Sequence, residues 1–286
     1  MYTVILAHNY QLPEIQDKAD FVGDSLELSR KATQIKAKTI IFCGVDFMAE
    51  TAAILNPDKK VVLATQEAVC PMAQMINVKD LQRLKAKYPK AAVVCYVNSS
   101  AEIKALSDIC CTSANALKVV ESLPNQEIIF IPDQHLGDWV ASKTKKKIIL
   151  YPGFCPTHQK ITDTQIKKLQ KKHPQALVLV HPECNRPVRQ LADQVLSTGQ
   201  MIEFVQKSKS SEFIIGTEVG ILYKLKNQNP AKKFYPASKL AICPNMKKTT
   251  LAKLKQALET GEPVIKVNPA VAQKARKAIE RMLAVC

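Results

Sequence analysis

Three Cys-Pro pairs, at Cys70, Cys155 and Cys243, recur 85 and then 88 residues apart. A thiolate is both a nucleophile and a metal ligand, and a cysteine at a helix start is expected to have a lowered pKa. Around this row stand groups that move protons or hold polar substrates. His8, Asn9 and Tyr10 follow one β-branched run, Tyr96 and Asn98 close a second, and His181 and Glu183 close a third. Of these, Tyr10, Tyr96, His181 and Glu183 are of the types that serve as general acids and bases. A further row places Ser25, Ser113 and Thr198 at expected helix starts, 88 and 85 residues apart. A hydroxyl there is by default an N-cap. Three converging helix starts would also form an anion site for carboxylate or phosphate.

The thiols allow two metal readings. Zinc favours four ligands with close cysteine pairs, whereas the sequence has no C-x-x-C pair and Cys155-x-x-His158 supplies only two ligands. Three cysteines from three equivalent units suit a [4Fe–4S] cube with one iron lacking a protein ligand. An open iron of this kind is a Lewis acid for a substrate oxygen. His158 is then expected in the wall of the site, because a fourth ligand would close it. Cys43, Cys95, Cys110, Cys111, Cys184 and Cys286 fall outside the repeat, and are read as packing residues.

The elements that must position these groups repeat as well. Asp20, Asp108 and Asp193 each precede the hydroxyl row by five residues, and Leu81 to Asn98 is matched by Ile166 to Glu183 as a helix followed by a strand. A weaker copy is Leu251 with the run Val264–Asn268, and another is the run Thr3–His8. Continuous apolar runs at Thr39–Cys43, Val61–Thr65, Ala92–Tyr96, Glu127–Ile131, Lys147–Tyr151, Leu177–His181 and Glu212–Gly216 are the pattern of parallel strands covered on both faces. The fold class is therefore α/β, with three similar three-layer αβα domains related by pseudo-threefold symmetry around a central active site. The expected domains are 1–80 plus 268–286, 81–165 and 166–267, with a terminal helix at Ala270–Ala284 packing back on the first. Lys143–Lys147 and Lys226–Lys233 read as exposed loops.

Composition excludes several classes. A chain of 286 residues that is 47% apolar can bury a full core. Glycine is scarce at 8, no Gly-rich phosphate loop occurs, and no apolar run reaches the roughly 18 residues a membrane helix needs. The charge of +16 comes mainly from lysine on expected helix faces, which suits solvated surface and attraction of anionic substrates better than nucleic-acid binding. The first residues show no basic stretch or small-residue cleavage site, and the nine cysteines are odd in number; a cytoplasmic protein with reduced thiols is expected.

Taken together, the chain resembles the quinolinate synthase family. The resemblance lies in His8-Asn-Tyr-Gln11, Ala19-Asp-Phe-Val-Gly-Asp-Ser-Leu-Glu-Leu28, Gly44-Val-Asp-Phe-Met-Ala-Glu-Thr51, Tyr96-Val-Asn-Ser99, Cys111-Thr-Ser-Ala-Asn115, Gly153-Phe-Cys155, His181-Pro-Glu-Cys184, Thr217-Glu-Val-Gly-Ile-Leu222 and Cys243-Pro-Asn-Met-Lys247. It implies a transferase of NAD biosynthesis that condenses iminoaspartate with dihydroxyacetone phosphate around one [4Fe–4S] cluster, and functional coupling to the enzyme that makes iminoaspartate. Cys70, Cys155 and Cys243 resemble the metal ligands. His8, Tyr10, Ser25, Tyr96, Asn98, Ser113, His181, Glu183 and Thr198 resemble the substrate shell. The chain before Thr3 is shorter than in many members, so a first helix is expected to be missing. Another [4Fe–4S] hydro-lyase acting on a small hydroxy acid, or a non-catalytic basic binding protein, are the alternative readings.

Overall fold

The computed structural model describes residues 3–285 of the chain, so Cys286 lies outside the described residues. The first unit runs β1 (Thr3–His8), α1 (Pro13–Gln16), β2 (Phe21–Gly23), α2 (Ser25–Gln34), β3 (Thr39–Cys43), α3 (Asp46–Leu55) and β4 (Lys60–Leu63). The second runs α4 (Val78–Lys87), β5 (Ala92–Tyr96), α5 (Ala101–Ala105), β6 (Ile109–Cys111), α6 (Ala116–Ser122), β7 (Glu127–Ile131), α7 (Gln134–Ala141) and β8 (Lys147–Leu150). The third runs α8 (Asp163–Lys172), β9 (Leu177–Val180), α9 (Arg186–Gln190), β10 (Gln194–Val195), α10 (Thr198–Lys207), β11 (Glu212–Gly216), α11 (Ile221–Gln228) and β12 (Lys233–Pro236). Two helices follow, α12 (Leu251–Thr260) and α13 (Pro269–Ala284).

Each unit forms a four-stranded parallel sheet with one order: β2-β1-β3-β4, β6-β5-β7-β8 and β10-β9-β11-β12. The expected three αβα layers are therefore present. In the third sheet Val178, Val180 and Ile214 face Ile166 of α8 and Val188 of α9, while Leu179, Phe213 and Ile215 face Met201 of α10 and Leu225 of α11. Both faces are apolar, which is why the strands read as unbroken runs rather than alternations.

The repeated aspartates are structural. Asp20, Asp108 and Asp193 each accept a hydrogen bond at 2.7 Å from a backbone amide of the central strand, from Ile5, Val93 and Val178 respectively. Their own amides return the contact to the carbonyl of the same residue. Each carboxylate thus starts an edge strand beside the central one. Those edge strands, β2, β6 and β10, together with β12, are not among the expected runs, because β2, β6 and β10 are only two or three residues long and β12 begins with Lys233 and ends in Pro236.

Two expectations at the C-terminal end are corrected. Val264–Asn268 is not a strand; it makes a single antiparallel bridge, Val62 with Val264. The central place in the first sheet, which β5 and β9 fill in the others, is taken by β1. Helix α12 occupies the place of α4 and α8 and buries Leu254 and Ala257 against Ile41 and Val62 of the first sheet. Lys226–Lys233 is also not a loop, since it holds the end of α11 and the start of β12, and β8 begins at Lys147. The terminal helix α13 lies along α5 and β6 and also meets α3.

Candidate active site

In a sheet of this order the chain reverses direction beside the central strand, and the crevice at that point is where ligands bind. His8 ends β1, Tyr96 ends β5 and His181 follows β9, so the three stand at equivalent switch points. They open into one cavity of about 170 Å³. Its lining also includes Tyr10, Ser25, Asn98, Ser113, Glu183 and Thr198, with Cys70, Cys155 and Cys243 from the loops beyond β4, β8 and β12. Every residue expected at the site is therefore brought to it.

The two histidines are held alike. His8 Nδ1 accepts from the amide of Tyr10 at 3.1 Å, and His181 Nδ1 accepts from the amide of Glu183 at 3.3 Å. These bonds assign the proton to Nε2 in both rings. His181 Nε2 then reaches Ser113 Oγ at 3.1 Å. Burial lowers both pKa values to about 3, against the opposing pull of Glu183, so neither ring carries charge near neutrality.

A second constellation joins the proton-handling groups. Tyr10 Oη lies 2.6 Å from Thr217 Oγ1, and Thr217 Oγ1 lies 2.9 Å from His158 Nε2. On the other side of the ring, His158 Nδ1 lies 2.7 Å from Glu183 Oε2, and Tyr96 Oη donates to Glu183 Oε1 at 2.5 Å. The result is one buried chain, Tyr10–Thr217–His158–Glu183–Tyr96. Burial would raise the Glu183 carboxyl, but the fields of His158 and His181 and the hydrogen bonds from His158 and Tyr96 hold it below the usual carboxylate range. Burial and the nearby carboxylate push both phenols well above theirs. A retained negative charge thus sits between two retained phenolic protons. Sequence reasoning placed His158 only in the wall and assigned Thr217 no role; neither residue belongs to a repeated row.

The expected lowering of the thiol pKa values is not found. Burial raises Cys70, Cys155 and Cys243 alike. Each thiol precedes only a three-residue 3₁₀ turn (Met72–Gln74, His158–Lys160 and Met246–Lys248), too short to offer much dipole. A bound metal can remove the proton instead.

An acidic row supports this loop set. The amide of Cys70 donates to Asp46 Oδ1 at 3.0 Å, and that of Cys243 to Glu218 Oε1 at 3.1 Å. Asp133 stands in the equivalent place, but one of its carboxylate oxygens has no hydrogen-bond partner among the described residues. This row was legible in the sequence, at intervals of 87 and 85 residues. Residues Asp46 and Glu218 were missed because acidic residues on a lysine-rich chain read as ordinary surface.

The hydroxyl row is also reassigned. Asp24 and Ser197 are the N-caps of α2 and α10, and Asn115 takes the N-cap position of α6. Ser25 and Thr198 are the residues that follow the caps, and Ser113 lies just before its helix. Asp24 does double duty: Oδ1 accepts from the amides of Leu26 and Glu27, while Oδ2 accepts from Ser197 Oγ at 3.0 Å and the amide of Gly199 at 3.3 Å. A side chain at Gly199 would bring its Cβ within 2.8 Å of that oxygen. One carboxylate therefore already occupies two of the three helix starts. This removes much of their capacity to hold a ligand anion and leaves the hydroxyls themselves facing the cavity.

Such a threefold parallel α/β protein, with acid and base groups buried beside three thiols in one cavity, is an enzyme. A family model described as quinolinate synthetase A protein matches residues 1–284. The chain is 56% identical over 282 residues to a quinolinate synthase of Dehalococcoides mccartyi (strain ATCC BAA-2266 / KCTC 15142 / 195), covering 99% of this chain and 93% of that one. It is 54% identical over 282 residues to one of Methanoregula boonei (strain DSM 21154 / JCM 14090 / 6A8), at the same coverage. With that of Thermodesulfovibrio yellowstonii (strain ATCC 51303 / DSM 11347 / YP87) identity is 55% over 281 residues, covering 98% and 93%. The chain belongs to the quinolinate synthase family. No helix among the described residues is long and apolar enough to cross a membrane.

Proposed function

We propose that the chain condenses iminoaspartate with dihydroxyacetone phosphate to give quinolinate, phosphate and water, as an enzyme of NAD biosynthesis in the cytoplasm. The observation that carries this reading is the hydrogen-bonded chain from Tyr10 to Tyr96 beside three thiols. Carbon–carbon bond formation, ring closure and loss of water all need proton transfers, and a binding module has no use for such a set. The unstable imine suggests functional coupling to the enzyme that makes it.

Cys70, Cys155 and Cys243 would hold a [4Fe–4S] cluster. The donor set fits: one thiol per unit faces a common cavity, and two of the three backbone amides are already anchored by carboxylates. When bound, such a cluster supplies an iron without a protein ligand, a Lewis acid beside the substrate.

The remaining chemistry belongs to side chains. With His158 Nδ1 donating to the ionised Glu183, protons run from Tyr10 to Glu183. Tyr10 takes one from the substrate as its own passes to Thr217, Thr217 passes one to His158 Nε2, and His158 gives its Nδ1 proton to Glu183, which returns one to the substrate. The imidazole changes tautomer and no charge leaves the site. Asn98 Oδ1, buried at the cavity with no partner among the described residues, and the hydroxyls of Ser25, Ser113 and Thr198 would hold the polar groups of the substrates.

The test is anaerobic turnover with each substrate alone and with both. Quinolinate formed only when both are present is expected. Turnover of a single hydroxy acid, with none of the condensation product, would overturn the assignment.

A further inference from the structure

Three ligand atoms of different chemistry meet at one point of the cavity. Cys155 Sγ lies 3.2 Å and Glu183 Oε2 lies 2.7 Å from the same atom, His158 Nδ1, and all three groups lie within 4.8 Å of one another. Thiolate, imidazole and carboxylate are the donors that zinc takes. Tetrahedral zinc with bond lengths of about 2.0–2.3 Å sets nitrogen–oxygen and nitrogen–sulfur edges of about 3.4 and about 3.6 Å, so each separation need open by less than about 1 Å.

The surroundings also suit a metal. Thr217 Oγ1 stands 2.9 Å from His158 Nε2, so when zinc displaces the Nδ1 proton the ring can carry its proton at Nε2, where Thr217 accepts it. Tyr96 holds the far oxygen of the carboxylate. Partners of this kind orient metal ligands and raise their affinity. His158 and Glu183 are almost fully buried, which protects the site from competing water.

We propose that the cluster-free chain binds one zinc ion at Cys155, His158 and Glu183, with the fourth position open to the cavity. This site shares Cys155 with the three-thiol set and takes the centre of the proton relay. Zinc binding and cluster assembly therefore exclude one another, and zinc is an inhibitor of maturation. The inference requires nothing of the reaction proposed above, and its test does not depend on turnover.

The experiment uses the full chain freed of iron by chelation, with zinc chloride and cobalt chloride as probes. One equivalent of zinc per chain should survive gel filtration, and cobalt should give a thiolate charge-transfer band. Cys70→Ser and Cys243→Ser should keep both signals, which shows that these variants fold. Cys155→Ser should lose the band, and His158→Ala and Glu183→Gln should each weaken zinc binding by about tenfold or more. Zinc-loaded protein should take up iron and sulfide only after a chelator removes the zinc. Loss of binding in Cys70→Ser or Cys243→Ser, or retention of full affinity in both His158→Ala and Glu183→Gln, would overturn the proposal. So would cluster uptake with the zinc still bound.

Discussion

The Nδ1 of His158, in the loop after the second sheet, lies 2.7 Å from Glu183 Oε2, just beyond the central strand of the third. This contact makes the two tyrosines one system. Tyr10 comes from the first unit and Tyr96 from the second, and the hydrogen-bonded residues between them join the two.

Thr217→Val tests that connection with a side chain of nearly equal size. The methyl group cannot pass a proton, so kcat is expected to fall by about 100-fold, with KM little changed. Stability should drop by about 1–3 kcal/mol, because Tyr10 and His158 each lose a buried partner. Unchanged kcat would show that the relay is not used.

If Glu183 and Tyr10 act as one unit, their variants will not add. Tyr10→Phe and Glu183→Gln should each cost about as much in kcat as the double variant, as for other groups that act together. A double variant whose loss is the product of the two single losses would contradict the coupling.

The pH dependence of stability has a defined sign at His8. Its pKa falls from 6.5 unfolded to about 3 folded, chiefly through burial, with Glu183 opposing and Lys247 and Lys224 assisting. The unfolded chain binds the extra proton, so stability from this residue is present above pH 6.5 and is lost as pH falls toward 3. Urea unfolding between those limits should show a slope lower by about 1.4 kcal/mol per pH unit in His8→Gln.

Among the described residues Lys160 is the one lysine or arginine lining the cavity, and it is exposed at its edge. With His8 and His181 neutral and Asp24 and Glu183 also lining the site, Lys160 is the cation an incoming phosphate meets. Lys160→Gln should raise KM for the triose phosphate several-fold, leave kcat nearly unchanged, and reduce the salt dependence of kcat/KM. Initial rates at several ionic strengths check this.

Asp193→Ala should cost about 1–3 kcal/mol by leaving the Val178 amide unpaired in the sheet. Chemical denaturation gives the value. Asp20 and Asp108 should behave alike, since the same bond recurs in each unit.

How much of this was legible in the sequence depends on what repeats. The thiols, the residues at the ends of β1, β5 and β9, and the three sheets share one period, and all of them fell where expected. Thr217 and His158 have no copies in the other units, so no periodicity could mark them as members of the proton chain. Two of the three N-caps were misplaced by one residue because Asp24 and Ser197 adjoin the repeated hydroxyls and cap as well as they do, and the third falls two residues on, at Asn115. The thiol pKa values were misjudged because burial is a property of the assembled loops, not of a Cys-Pro pair. Val264–Asn268 has a strand's composition, but the place it would fill is held by Thr3–His8 from the other end of the chain.

The central claim is that three thiols from three units hold a cluster beside the proton relay. Iron and acid-labile sulfide in anaerobically purified protein test it most directly. The account predicts about four of each per chain, with a visible spectrum that changes on adding quinolinate, and loss of the cluster in Cys70→Ser, Cys155→Ser and Cys243→Ser alike. Anaerobic protein that catalyses the condensation without iron and sulfide, or a cluster that survives loss of any one of these cysteines, would contradict it.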